Sequence, residues 1–135
     1  MRYDEITEFL HGGDYNAEQW IDRPDILAED IRLMKKAHVN VVTLGVFSWS
    51  MYEPKENEFH FEWLDKIMDD LYANGIYVIL ATPSGGKPPW MIKKYPEIMR
   101  TNADRTRLLY GDRENQCNSN LIFREKVHQI DLLLA

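Results

Sequence analysis

Two apolar runs constrain this chain more than any other feature. Residues 40–46 (NVVTLGV) and 76–81 (IYVILA) are nearly continuous in apolar side chains, and a stretch of helical period separates them. A strand with one wet face alternates apolar and polar residues. A strand in a parallel sheet is covered on both faces and reads as an unbroken apolar run. Parallel neighbours also need a long crossover, usually a helix. The pair of runs therefore predicts a parallel βαβ unit with a right-handed connection.

The same pattern extends in both directions. Residues 9–13 (FLHGG) are a short strand candidate, followed by a polar loop over 14–22. Pro24 stands where the first turn of a helix tolerates proline. Leu27, Ile31, Met34 and His38 follow at spacings of four, three and four, which is one helical face. Phe61, Leu64, Met68 and Leu71 mark a second face, closed by Asn74-Gly75. After the third run a Pro- and Gly-rich excursion covers 82–120, with a helical turn or two around 90–94. Phe123, Val127, Ile130 and Leu134 define a last helix, capped by Ser119 or Asn120. The predicted order is β-α-β-α-β-loop-α, with no linker that would mark a domain boundary.

Periodicity alone leaves a barrel and a doubly wound open sheet both standing. The unusual residues all follow strands: Asp14-Tyr15-Asn16, Phe47-Ser48-Trp49 and Pro83-Ser84-Gly85-Gly86. Both architectures put their chemistry there. None of these loops is a G-x-G-x-x-G or a P-loop, so nucleotide phosphate binding has no support. Trp and Tyr crowd them instead, and flat aromatic faces suit sugar rings.

Bulk properties exclude several classes. The 135 residues carry a formal net charge of −6. That argues against nucleic acid or an anionic membrane as partner, because both need a basic face. No apolar run approaches the roughly 18–20 residues of a membrane span, and residues 1–13 lack the apolar core of a signal peptide. The one cysteine, Cys117, cannot form an internal disulfide. The expectation is a soluble, cytoplasmic protein.

Three segments carry a family resemblance. LHGGDYNAEQW (10–20), VVTLGVFSWSMYEP (41–54) followed by FEWLDKIMDDL, and ILATPSGGKPPWMIKKYPE (79–97) resemble, in order, the first three strand regions of family 42 glycoside hydrolases. The stretch 49–54 is shared across several barrel glycosidase families; the first and third segments are more specific. The resemblance covers essentially the whole chain. It implies an α/β fold, the N-terminal portion (about three β/α units) of a (β/α)8 TIM barrel, with residues 1–135 an incomplete catalytic domain that stops before strand four. It implies a retaining β-galactosidase acting on terminal β-D-galactosides. Retention needs two carboxyl groups about 5–5.5 Å apart across the glycosidic bond. In the family these glutamates follow strands four and seven, so both are expected beyond residue 135, and this chain alone is expected to be inactive.

Single residues follow from the same resemblance. An arginine four positions before a cysteine reaches the galactose site in this family, and Arg113 and Cys117 keep that spacing. A guanidinium fork suits sugar hydroxyls or a catalytic carboxylate; the plain alternative is an exposed loop arginine. Cys117 is one of four thiolate ligands of a structural zinc in some members, and no cofactor is otherwise required. A tetrahedral site needs four ligands, so a small half-buried thiol is an equal reading. Trp49 and Trp90 line a sugar pocket or pack loops onto the barrel rim; Trp63 packs a helix. Asp14 and Asn16 touch substrate or fix the first loop. Glu53 reads as a loop anchor.

The chain also departs from the family. Asn57 replaces a turn glycine, a mild change because asparagine tolerates the left-handed region. Lys87 stands where arginine is common, and Phe123 replaces a tyrosine. Two other functions stay open: a clan-related retaining β-glycosidase, and a non-catalytic product that binds sugar or a partner. An unpaired strand at 76–81 would favour self-association of the isolated chain.

Overall fold

The computed structural model describes residues 6–109, 111 and 114–135. Three strands form one sheet in the order β1 (Gly12–Tyr15), β2 (Val41–Leu44), β3 (Tyr77–Leu80). β1 and β2 pair in parallel, Gly12 opposite Val41 through Tyr15 opposite Leu44. Tyr77 N–H donates to the Asn40 carbonyl at 2.7 Å, just ahead of β2. The helices are α1 (Pro24–Lys36), α2 (Trp49–Tyr52), α3 (Glu62–Ala73), α4 (Pro89–Lys94) and α5 (Leu121–Leu134), with 3-10 turns at Ala17–Trp20 and Pro96–Ile98. The predicted order of strands and long helices holds, with α2 added in what the sequence reads as the loop after the second strand.

Residues divide into two compact units. One holds the chain up to Leu44 together with Trp63–Ile79; the other holds Gly45–Glu62 and Leu80–Ala135.

In the first unit the central strand behaves as its sequence predicts. Val41, Val42 and Leu44 are buried. Its neighbours do not: β1 is largely exposed, and Ile79 on β3 is 54% exposed. An unbroken apolar run therefore coincides with burial at β2 alone among the three strands.

The first strand also starts later than 9–13. Phe9 is 87% exposed, and Asp14 and Tyr15, expected in the loop, belong to the ladder. Asn40 bonds the backbone ahead of the ladder. Its side chain accepts from His11 N–H at 2.7 Å and donates to the Phe9 carbonyl at 2.9 Å, while its own N–H donates to the His11 carbonyl at 3.0 Å. The ladder then opens at Gly12, where a Cβ would lie 1.6 Å from the Val41 carbonyl oxygen. Only glycine fits so close to a neighbouring backbone.

α1 and α3 end in the same way. Past α1, His38 N–H bonds the Lys35 carbonyl and Val39 N–H bonds the Met34 carbonyl at 2.9 Å. Past α3, Gly75 N–H bonds the Tyr72 carbonyl and Ile76 N–H bonds the Leu71 carbonyl, both at 3.0 Å. Both are Schellman closures with a left-handed residue after the cap: Gly75 at φ 74° and His38 at φ 58°. His38 is therefore the terminator of α1 and not the last member of its apolar face. The Leu27–Ile31 part of that face and Trp63 and Ile67 of α3 line a cavity of about 650 Å³. Leu64, Ile67 and Leu71 are the buried positions of α3, with Phe61 ahead of the helix.

The second unit is mostly irregular. α4 begins one residue earlier than expected, at Pro89 in a first-turn position. Asn120, not Ser119, caps α5: its side chain accepts from Phe123 N–H at 3.0 Å. Phe123 and Ile130 of the predicted face are buried. Among the described residues no helix is long and apolar enough to cross a membrane.

Candidate functional site

The loop after β2 turns on Gly45, at φ 89°. A Cβ there would sit 2.2 Å from the Tyr52 hydroxyl, so the backbone can pass this ring only without a side chain. Trp49 and Tyr52 of α2 are fully buried. Glu53, 1% exposed, collects the loop around itself. Its carboxylate accepts from Trp49 Nε1 at 2.9 Å and from Asn57 N–H at 2.8 Å, and its carbonyl accepts from Trp90 Nε1 at 2.8 Å. A buried carboxylate is tolerated when its oxygens are met by donors. Glu53 is thus the anchor its sequence suggested. Trp49 is a packing residue with its N–H committed, tilted against Phe123 at 6.3 Å between ring centres. Trp90 is half-buried, with Lys126 5.9 Å from its ring centre.

Asn57 adopts the left-handed conformation expected of a glycine replacement, at φ 62°. Beside it Glu56 receives Lys94, Lys126 at 2.9 Å and the Tyr95 hydroxyl at 2.7 Å. The Lys94 ammonium, then the Tyr95 hydroxyl and Lys126, hold the Glu56 carboxyl down from 4.5 to about 2. This hub ties the stretch after α2 to α4 and α5.

The excursion after β3 carries a second polar knot. Gly86 N–H closes a turn on the Pro83 carbonyl at 3.0 Å. Lys87 follows, and its ammonium donates to Asn115 Oδ1 and, at 3.0 Å, to Gln116 Oε1. Burial pushes the Lys87 ammonium below the ordinary lysine value. Asn115 and Gln116 are themselves buried. Asn115 donates onward to the Leu109 carbonyl, and Gln116 pairs with Met99 in an isolated antiparallel bridge. Asn115 and Gln116 had no distinguishing mark in the sequence. They lie 28 and 29 residues from Lys87, and no local spacing announces such a contact.

Of the residues singled out from sequence, Arg113 lies outside the described residues. Cys117 is a half-buried free thiol whose N–H donates to the Ile98 carbonyl at 2.7 Å. Among the described residues no group of three or more His, Cys, Asp or Glu could hold a metal ion. Cys117 thus supplies at most one of the four ligands zinc takes, and the described residues do not by themselves fit the ion. Asp14 is exposed, and Asn16 precedes the 3-10 turn, its carbonyl accepting from Gln19 N–H at 3.3 Å. Chemically the loops offer fixed donors and amides. Both oxygens of the Glu53 carboxylate are engaged, by Trp49 Nε1 and Asn57 N–H.

Comparison with known proteins follows this geometry closely. The profile of glycoside hydrolase family 42, described as Beta-galactosidase, matches residues 14–135. The β-galactosidase Pbg of Clostridium perfringens is 60% identical over 130 residues, 96% of this chain and 19% of that protein. Gan42B, a family 42 β-galactosidase from G. stearothermophilus, superposes with a TM-score of 0.94 at 54% identity, covering 97% of this chain and 19% of its own. The β-galactosidase from Rahnella sp. R3 gives a TM-score of 0.94 at 48% identity over the same shares. The chain spans about a fifth of the length of the relatives it matches.

Proposed function

This chain belongs to the β-galactosidase family 42 of glycoside hydrolases, its fold the N-terminal portion of a (β/α)8 barrel, and from that premise we propose the activity of the protein it forms part of. That activity is retaining hydrolysis of terminal β-D-galactosides. The observation that carries the reading is a likeness running through nearly the whole chain to proteins named as β-galactosidases. Residues 1–135 contribute the first part of the catalytic domain. Arg113 binds the galactoside, and Cys117 gives one ligand of a structural zinc completed from elsewhere in the protein. No catalytic carboxyl is assigned to the described residues. The proposed location is the cytoplasm, with no nucleic-acid or membrane partner; the 135 residues alone are proposed to self-associate.

The complete protein, assayed on a panel of nitrophenyl glycosides, is expected to prefer the β-galactoside. Equal or better turnover of another β-glycoside would move it to a neighbouring specificity. Arg113→Ala is expected to lower kcat/KM by about one to two orders of magnitude, the loss of charge-assisted bonds to substrate. Near-normal efficiency in that variant would remove Arg113 from the site.

A further inference from the structure

The two long helices of the first unit leave a groove between them that their own side chains do not fill. It encloses about 650 Å³. α1 is amphipathic, yet none of its residues is buried. Leu27 and Ile31 of α1 line the groove together with Trp63 and Ile67 of α3. The lining runs from Pro24 to Lys35 along one helix and from Trp63 to Asn74 along and just past the other. Eleven residue steps correspond to about 16 Å of helix. A mostly apolar concavity of this size, with a few polar groups at defined places, has the proportions of a small-molecule site. Apolar surface rimmed by polar residues also marks places of contact.

The charge of the groove runs against that of the chain. Arg32, Lys35 and Lys66 line it with a single carboxylate, Asp70, whereas the whole chain carries a net charge of −6. Two of these cations are met by acids. Arg32 makes a two-point contact with Glu29, and Lys66 reaches Asp70 at 2.6 Å.

Lys35 differs from both. Its ammonium donates to Asn74 Oδ1 at 3.2 Å, and among the described residues it has no carboxylate partner. Asn74 is fixed with that oxygen toward Lys35, because its Nδ2 donates to the Asp70 carbonyl at 2.8 Å. An ammonium has three N–H donors and no acceptor. The amide takes one of them and holds the group at the groove, with two left to offer an anion.

We propose that the groove between α1 and α3 binds a small amphipathic carboxylate, free in solution. Its apolar body lies along Leu27, Ile31, Trp63 and Ile67, and its head group meets Lys35. Burial of apolar surface supplies the affinity, and the cation selects the sign of the head group. The site stands apart from the galactoside reading, because no residue assigned to that reading lines it.

Titration calorimetry on the complete protein tests this, with octanoate as the probe and octanol as its uncharged counterpart. Octanoate is expected to bind saturably with a Kd below about 1 mM, and octanol about tenfold more weakly. Lys35→Gln is expected to reduce octanoate binding to the level of octanol while the thermal midpoint stays the same. Ala28→Trp adds a ring at an exposed position of the lining and is expected to abolish binding of both probes. Absence of saturable octanoate binding overturns the proposal. So does equal affinity for the two probes, or for wild type and Lys35→Gln, since either removes the role of the cation. Full binding in Ala28→Trp places the probe elsewhere and overturns it as well. If octanoate does not bind while sedimentation shows an association that Ala28→Trp abolishes, the groove belongs to a second copy of the chain and the small-molecule reading falls.

Discussion

The two compact units solve the same problem by opposite means. In the unit built on β1, β2, α1 and α3, backbone groups are met by ladder and helix bonds, so its interior is apolar: Val41, Val42, Leu44, Leu64, Ile67, Leu71 and Ile76. Its ion pairs, such as Arg32–Glu29 and Lys66–Asp70, lie at the surface. The other unit has short elements joined by long irregular stretches. There the buried polar residues gather: Ser48, Glu53, Asn115 and Gln116. Buried backbone must find partners somewhere. Where no ladder supplies them, carboxylates and amides do. Both units bury apolar side chains, Trp49, Tyr52, Met91, Ile98, Phe123 and Ile130 among them in the second, but among the described residues only the irregular unit adds buried polar residues to its core.

The largest test sets one buried residue of each kind side by side. Leu71→Met conserves volume and is expected to cost less than about 1.5 kcal/mol. Glu53→Met also fills its space, but it strips acceptors from Trp49 Nε1 and Asn57 N–H. Each buried donor left unmet costs about 1–3 kcal/mol, so a loss of several kcal/mol is expected in urea denaturation. Equal losses from the two substitutions would erase the distinction between the units.

The second test uses acid. The Glu56 carboxyl is depressed from 4.5 to about 2 in the fold, chiefly by Lys94. A depressed acid contributes stability that is complete above its unfolded value and disappears as pH falls through its folded value. Thermal midpoints followed from pH 5 down to about pH 2 should therefore fall more steeply in the wild type than in Glu56→Gln. Parallel slopes would mean that the hub around Glu56 contributes nothing.

The smallest expected effect lies on the surface of the first unit. Arg32 and Glu29 make a paired contact at 2.7 Å, yet both side chains are more than half exposed. Exposed pairs are screened and lose side-chain entropy on forming. Arg32→Ala should leave the denaturation midpoint within error; a clear loss would show that surface charge helps to hold this unit.

The sequence alone determined whatever depends on neighbours a few residues apart. Helical spacing located α1, α3 and α5. Pro24 marked the start of α1, Gly75 marked the end of α3, and the left-handed tolerance of asparagine anticipated the turn at Asn57. The apolar density of 41–44 placed the central strand, and the three loop segments carried the family. Only the tertiary structure decided the rest. His38 closes α1 in the conformation Gly75 uses for α3, although its side chain gives no such signal. Ahead of the first strand, Asn40, distant in sequence, bonds the backbone of Phe9 and His11 through its side chain. Lys87 meets Asn115 and Gln116 only after the chain has turned through α4 and back. Periodicity and turn chemistry are written in local sequence. The choice of partner for a buried polar group is made by whatever the fold brings within about 3 Å of it.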